Sequence, residues 1–381
     1  MQSLVSVRKC SDYEPALVKA ALERVLEDLG GIGSMVKRGD RVLLKPNLLR
    51  AARPEAAVVT HPTFVEAVAS LMIDAGATPF IGDSPSIGSL ARTLSKSGYD
   101  PFMKKMGIRA VPFKETASRE APEGRVFRCL DLARDVFAFD RVINLAKLKT
   151  HTQMMLTLAV KNLFGTIAGA DKAMWHLKAG KDYDTFAMVL VQILESVKPT
   201  ISLADGILGM EGDGPSAGNP RYIGIIAGSA DALALDATVC RLIGFRVESV
   251  RTCVLGESLG LGVIATDRIR VVGDDLDGFP LQDFKPPKSM TVIWNLPAGN
   301  AAWRFLENRL ITKPAIDHSV CSLCCNCLDH CPPAAIREED GRMIIDYRKC
   351  ISCFCCQEIC SNKAVRVVQP RLGRFLSKIS R

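Results

Sequence analysis

Along residues 1–287, short apolar runs alternate with longer amphipathic stretches, and most runs end in glycine, proline or clustered polar residues. That alternation predicts strands and helices in turn, hence an α/β domain on a largely parallel sheet. Pro15 to Leu29 has helical apolar spacing behind a proline, as does Pro62 to Ala75. Strands are predicted at Arg41 to Leu44, Pro79 to Ile81, Arg141 to Leu145, Ile201 to Ala204 and Tyr222 to Ala227. Helices are predicted at about Gln153 to Phe164 and over Asp231 to Ile243, where Gly244 is the stop. Gly30-Gly31-Ile32-Gly33 follows a helix and precedes a strand, the reverse of a dinucleotide loop, and reads as a helix stop.

Composition narrows the class. The 381 residues, 48% hydrophobic and 24% charged, suit a globular protein of two domains, with no apolar run long enough to span a bilayer. A net charge of +8 with 6% aromatics gives no support for a nucleic-acid surface; a small anionic molecule or an acidic redox partner fits better. Fourteen cysteines without a charged, apolar, cleavable leader point to a reducing cytoplasm.

Eight of those cysteines form two sets spaced C-x2-C-x2-C-x3-C: Cys321, Cys324, Cys327, Cys331 and Cys350, Cys353, Cys356, Cys360. Two residues between thiolates let a tight loop wrap three corners of one iron–sulfur cubane, while the fourth cysteine points away. A zinc ribbon would separate two C-x2-C pairs by a long spacer, and a disulfide framework suits short secreted chains. The sets are an internal repeat, since Cys331-Pro-Pro-Ala-Ala-Ile336-Arg337 aligns with Cys360-Ser-Asn-Lys-Ala-Val365-Arg366. Arg342 to Asp346 and Val365 to Val368 read as short strands pairing the halves. Residues 315–369 closely resemble a two-cluster bacterial-type ferredoxin, apart from Ser361 where the second copy would carry a proline. The resemblance implies two 4Fe-4S clusters, one on Cys321, Cys324, Cys327 and Cys360, the other on Cys350, Cys353, Cys356 and Cys331. Cys325 and Cys355 fall off the ligand spacing and read as small fillers; Cys10, Cys129, Cys240 and Cys253 read as buried thiols.

In the body, polar residues crowd the predicted strand exits, where open α/β sheets hold ligands. Lys45-Pro46-Asn47, Gly82-Asp83-Ser84-Pro85, Lys147-Leu148-Lys149-Thr150-His151 and Asp205-Gly206 converge there, with Gly209 to Pro215 beyond. Lysines beside a helix starting near Thr152 and Gln153 would make an anion site. The candidate catalytic residues are Lys147, Lys149, His151 and Asp205; the candidate substrate-binding residues are Lys45, Asn47, Asp83, Ser84, Lys161 and Asn162. Each has a plainer reading. The lysines suit a solvated strand end, His151 a helix cap, and Asp205 a cap on the glycine-rich loop. Asp83 and Glu211 rival them as acid–base groups, and His61 reads as a helix start. At these motifs, with His61-Pro62 and Lys161-Asn162-Leu163-Phe164-Gly165, the body resembles the family known as domain of unknown function 362, whose members are often fused to a ferredoxin domain. That resemblance implies an architecture and an iron–sulfur association, and no substrate.

The chain thus divides into an α/β domain over 1–287, with an Asp/Gly/Pro-rich boundary at Asp274 to Pro287, a linker over 288–314, the ferredoxin-type domain over 315–369 and a tail over 370–381. The linker carries one short amphipathic helix at Asn300 to Leu310. The basic amphipathic tail, Arg371 to Arg381, suits docking on its own body, an acidic protein or, peripherally, an anionic membrane. Fusion of electron source to strand-end site points to an iron–sulfur oxidoreductase acting on an anionic substrate. The rival readings are a non-catalytic electron carrier or adaptor docking a separate redox enzyme, and an assembly protein with structural clusters.

Overall fold

The computed structural model describes residues 2–169, 171–288 and 312–368. Strands β1 (Ser3–Lys9), β2 (Arg41–Pro46), β3 (Thr78–Asp83) and β4 (Arg109–Pro112) come first, then a two-stranded ribbon of β5 (Thr116–Glu120) and β6 (Cys129–Ala133). The body continues with β7 (Arg141–His151), β8 (Met155–Thr157), β9 (Ile201–Glu211), β10 (Asn219–Ser229) and β11 (Ile269–Gly273). All but the ribbon form one nine-stranded sheet in the order β11-β1-β10-β9-β7-β2-β3-β4, with β8 antiparallel on the end of β7. From β9 to β4 every neighbour is parallel, and β10 runs antiparallel to β1 and β9. The domain is therefore mixed α/β with a mostly parallel sheet.

Strands covered on both faces need apolar residues on both. In β7, Ile143 and Leu145 face the core under helices Pro15–Asp28 and Pro62–Asp74, while Val142 and Ala146 face the core under Tyr183–Val197 and Ala232–Leu242. The helix starts follow local chemistry. Glu14 accepts from Leu17 N at 2.9 Å with Pro15 behind it, His61 Nδ1 accepts from Thr63 N at 3.3 Å, and Asp231 accepts from Leu233 N and Ala234 N.

Several expectations need correction. β7 and β9 run 11 residues each, so Lys147, Lys149, Thr150 and His151, as well as Asp205 and Gly206, lie within strands and not in loops after them. Lys-x-Lys-x-His is strand alternation that places three polar side chains on one face. The helix expected over Gln153 to Phe164 is replaced by a turn, β8, a short helix Ala159–Asn162 and a 3-10 turn Leu163–Thr166. Apolar residues in this stretch return along β7, pairing His151 with Met155 and Lys149 with Thr157. No helix begins near Thr152, and the helix-terminus anion site falls with it. The amides of Gln153 and Met154 donate instead to His151 Nδ1, each at 3.1 Å. Cys10, Cys240 and Cys253 are buried, but Cys129 is exposed at the start of β6. The segment after Asp274 packs on the body: Asp274 bonds Arg8 and Lys9 N, and Leu281 N donates to Leu242 O at 2.9 Å.

The C-terminal unit holds β12 (Lys313–Ile316), β13 (Ile336–Glu339), β14 (Arg342–Ile345) and β15 (Val365–Val368), with helical turns Asn326–Asp329 and Cys355–Ile359. β14 and β15, expected to pair the halves, pair with β13 and β12 respectively. Each two-stranded sheet needs an apolar inner face, and together they supply Ile336, Met343 and Val365 to one small core. The expected helix at Asn300 to Leu310 and the tail at Arg371 to Arg381 lie outside the described residues.

Candidate functional site

β2 and β3 end side by side, and their last polar residues lock together. Lys45 Nζ lies 2.8 Å from Asp83 Oδ1 and donates to Pro46 O, also at 2.8 Å. Asp83 also accepts from Leu48 N at 2.7 Å and Ser84 N at 2.9 Å. Asn162 ties this pair to β7 by donating to Asn144 Oδ1 at 2.8 Å, and its Oδ1 accepts from Asn47 Nδ2 at 2.9 Å. Burial lowers the Lys45 ammonium below its usual range, and Asp83 offsets part of that.

A second network lies deeper. Lys147 and Asp205 face each other across β7 and β9 in register, 2.7 Å apart and both fully buried. Tyr13 O–H donates to Asp205 Oδ1 at 2.6 Å and accepts from Lys147 Nζ at 2.8 Å, while His61 N donates to Asp205 Oδ2 at 2.9 Å. Tyr13 stacks on His61 at 3.5 Å. Neither Lys147 nor Asp205 lines the cavity on which Lys149 and His151 open.

Lys149 and His151 open instead on a cavity of about 40 Å³, with Lys45, Asn47, Asp83, Ser84, Lys161 and Asn162 also in its wall. Lys149 Nζ donates to Asn47 Oδ1 at 2.8 Å and Val58 O at 2.7 Å. Burial pulls its ammonium well below the usual lysine range, with Glu358 acting the other way. Lys161, half-buried, lies 4.6 Å over the Phe164 ring. Lys172 donates to Ser84 O, Ser84 Oγ and Ile167 O at 2.6–2.8 Å, and burial brings it down to about 7. His151 Nδ1 accepts two amides, which puts the neutral ring's proton on Nε2. Burial and then Lys161 lower its pKa, so the ring is uncharged at neutral pH. Nε2 stands 3.2 Å from Glu358 Oε1 without hydrogen-bond alignment.

Glu358 comes from the C-terminal unit, inside the second cysteine set. Burial alone would raise its carboxyl, but His151 and then Lys161 and His176 hold it down at about 2. The seam is fixed mainly by bonds to backbone oxygens. Ser216 Oγ donates to Glu358 O at 2.7 Å, Gln357 Nε2 to Asp213 O at 2.6 Å, and Lys363 Nζ to Gly218 O at 3.2 Å.

Two further cavities lie within the C-terminal unit. Cys321, Cys324, Cys327 and Cys360 surround one, with Cys325 beside them; Cys331, Cys350, Cys353 and Cys356 surround the other. Each takes three cysteines from one set and the fourth from its partner. Among the described residues no three His, Cys, Asp or Glu side chains converge closely enough for a single metal ion. Cysteines disposed around a volume suit a cluster whose irons stand at separate corners. Ala335 N donates to Cys331 Sγ at 3.2 Å and Ala364 N to Cys360 Sγ at 3.2 Å, bonds that a cluster-bound thiolate would accept.

A family model described as "Domain of unknown function (DUF362)" matches residues 42–241, more than half of the chain. The chain belongs to the DUF362 family. It is 40% identical over 298 residues to the thylakoid-associated protein sll1697 of Synechocystis sp., covering 78% of this chain and 88% of that one. The pyruvate synthase subunit PorD of Methanocaldococcus jannaschii is 38% identical over 58 residues, 15% of this chain and 67% of its own, along the cysteine-rich C-terminal region. Among solved structures, the lactate racemase apoprotein of Thermoanaerobacterium thermosaccharolyticum aligns with 64% of this chain at 11% identity and a TM-score of 0.41. The chain spans 57% of that structure's length. No helix among the described residues is long and apolar enough to cross a membrane.

Among the residues of this DUF362 chain that join the two networks without a motif to mark them are Lys172, Thr157 and Glu358 at the cavity and Tyr13 at the Lys147–Asp205 pair. Lys172 sits in a polar helix that looks like a solvated surface. Glu358 occupies the repeat position of Asp329, and only the fold distinguishes them. Glu211, a rival acid–base candidate, accepts from Lys285 N at 3.1 Å and stays off the lysine cavity.

Gly165 fits this DUF362 site because a Cβ there would overlap Asp83 Oδ1 and come 2.5 Å from Lys45 Nζ. Gly165→Ala is expected to lower stability by about 1–3 kcal/mol through overpacking, read as a shift in the midpoint of denaturant unfolding. An unchanged midpoint would mean that the Lys45–Asp83 pair is not held this tightly.

Proposed function

We propose that this chain is an iron–sulfur electron-transfer protein, an oxidoreductase that carries low-potential electrons from two 4Fe-4S clusters to a small anionic substrate at the lysine cavity. The observation that carries the reading is Glu358. It belongs to the second cysteine set, two residues after Cys356, yet it lines the cavity of Lys149 and lies 3.2 Å from His151. The crossed grouping of the eight cysteines supports two cubanes, Cys321, Cys324, Cys327 and Cys360 holding one, Cys350, Cys353, Cys356 and Cys331 the other. When bound, such clusters supply one-electron storage at potentials of roughly −700 to +450 mV.

The chain's own residues then have distinct parts. The second set packs against the body, with Cys353 and Cys356 buried, whereas Cys324 of the first set is exposed. That contrast supports entry of electrons at the first set, from a redox partner protein, and exit beside the cavity. Lys149 and Lys161 hold the anion, Lys45 and Asp83 brace the wall, and His151 offers its Nε2–H to a substrate oxygen. The Lys147–Asp205 pair, sealed from the cavity, keeps β7 and β9 in register. Fourteen cysteines support a reducing cytoplasm, and the basic tail suits docking on its own body, an acidic protein or, peripherally, an anionic membrane.

Oxygen-free material titrated with a low-potential reductant under EPR is expected to give two interacting 4Fe-4S signals. Zinc, or no inorganic sulfide, on elemental analysis would overturn the reading. Reduced wild-type protein is also expected to be reoxidised by a protein-free metabolite extract faster than His151→Ala of equal iron content. Equal rates would remove the cavity from the pathway and leave an electron carrier.

A further inference from the structure

The seam cavity carries a charge imbalance that electron delivery alone does not use. Four lysines reach it, Lys45, Lys149, Lys161 and Lys172, against two carboxylates, Asp83 and Glu358. Asp83 is committed to Lys45 at 2.8 Å. Among the described residues Lys149 ends on two neutral oxygens, and Lys161 has ring contacts with Phe164 and Phe186 and no ion pair. Thr157 Oγ1 in the same wall lacks a hydrogen-bond partner, and His151 Nε2 and Glu358 Oε1, 3.2 Å apart, face each other without hydrogen-bond alignment, on side chains 3%, 1% and 6% exposed. Buried polar atoms are seldom left unpaired in a folded protein, so these three mark places where a ligand's atoms belong.

We propose that the cavity is a binding site for a small oxyacid dianion of about the size of phosphate, held by Lys149 Nζ, Lys161 Nζ, Thr157 Oγ1 and His151 Nε2. The charge follows from the wall, since with its four lysines protonated, as a bound anion favours, four ammonium groups against two carboxylates leave two positive charges. The size follows from the volume, since about 40 Å³ holds a few water-sized groups and no nucleotide. Glu358 Oε1, an acceptor, adds a preference: it is satisfied by a ligand that also carries a proton donor, so hydrogenphosphate fits better than sulfate. The inference rests on the proposed function for taking the seam as the working site, but binding requires no electron to reach it.

The lysines' titration adds a signature. Burial lowers Lys149, Lys161 and Lys172, the last to about 7. Lys172 faces Asp83 and Asp171, which raise it, and Lys45 and Lys161, which lower it. Lys149 faces Glu358, which raises it, and Lys161, Lys147 and Arg50, which lower it; Lys161 faces Glu358 and Cys355, and Lys45 opposes them. A dianion favours the charged lysines, so binding at pH 8, where phosphate is already a dianion, takes up protons and weakens as pH rises from 8 to 9.

The test is calorimetry on the oxygen-free full chain without electron donor. Sodium phosphate, sulfate and nitrate are compared at one ionic strength, in Tris and in HEPES at pH 8. Phosphate is expected to bind best and nitrate not at all, with an enthalpy difference between buffers that reports proton uptake. Lys161→Gln should weaken phosphate at least about tenfold, and Lys161→Arg should recover part of it, both at wild-type iron content and melting temperature. Phosphate binding no tighter than nitrate, or binding unchanged in Lys161→Gln, overturns the proposal. Phosphate binding intact beside clusters that never reduce would sink the electron-transfer reading alone.

Discussion

Asp205→Asn is expected to destabilise the body by about 3–5 kcal/mol, because it leaves the buried Lys147 ammonium without its carboxylate. Both side chains have no solvent exposure and stand 2.7 Å apart. Burial already lowers the lysine's pKa despite Asp205's attraction. With that attraction gone, Lys147 would shed its proton rather than stay charged in a dry interior, which caps the loss. Tyr13 O–H and His61 N–H also lose charge in their shared acceptor. In a body of this size the change corresponds to a melting point on the order of 10 °C lower, measured by calorimetry of the full chain. Lys147→Met with Asp205→Leu should recover much of the loss, since replacing a buried pair by apolar groups is often near neutral, but not all, because Tyr13 and His61 still lose their acceptor. A single variant within about 0.5 kcal/mol of wild type would show that the pair contributes little.

On the proposed two-cluster reading, removing Cys331 is expected to eliminate the cluster assigned to it with Cys350, Cys353 and Cys356, although Cys331 belongs to the first set in sequence. Iron should fall from about eight atoms per chain to about four. Paired substitutions decide the assignment. Cys331→Ala with Cys356→Ala should lose no more iron than either alone, because both serve one cavity. Cys331→Ala with Cys327→Ala should lose nearly all of it, since those two line different cavities. The reverse pattern would mean that each set closes on its own cluster.

Much of this was legible in the chain. Strand cores such as Arg41 to Leu44 and helices such as Pro15 to Leu29 stood out because periodicity and capping agreed. The crossed cysteine grouping came from the resemblance to a two-cluster ferredoxin, and the two cysteine-lined cavities divide the thiols in the same way. The misreading at Lys147 to His151 has a physical origin. Buried strands are expected to be apolar, so alternating lysines looked like an exit loop, and only partners supplied by Asp205, Asn47 and Val58 make that alternation tolerable inside. The helix expected over Gln153 to Phe164 failed because pairing with β7 overrode local preference. Glu358 was invisible for another reason. It is joined to the lysines only by the packing of two units whose contacts lie more than a hundred residues apart.

That packing has a consequence for the duplicated module. Asp329 and Glu358 hold equivalent places in the repeat, yet the first is open to water and the second is enclosed. Near-twin lobes have thereby become unequal. One keeps a carboxylate that lysine or serine could replace with little harm, while the other carries a side chain answerable both to its own loop and to a foreign wall. Exchanging the lobes would preserve every thiol and still break the molecule's polarity.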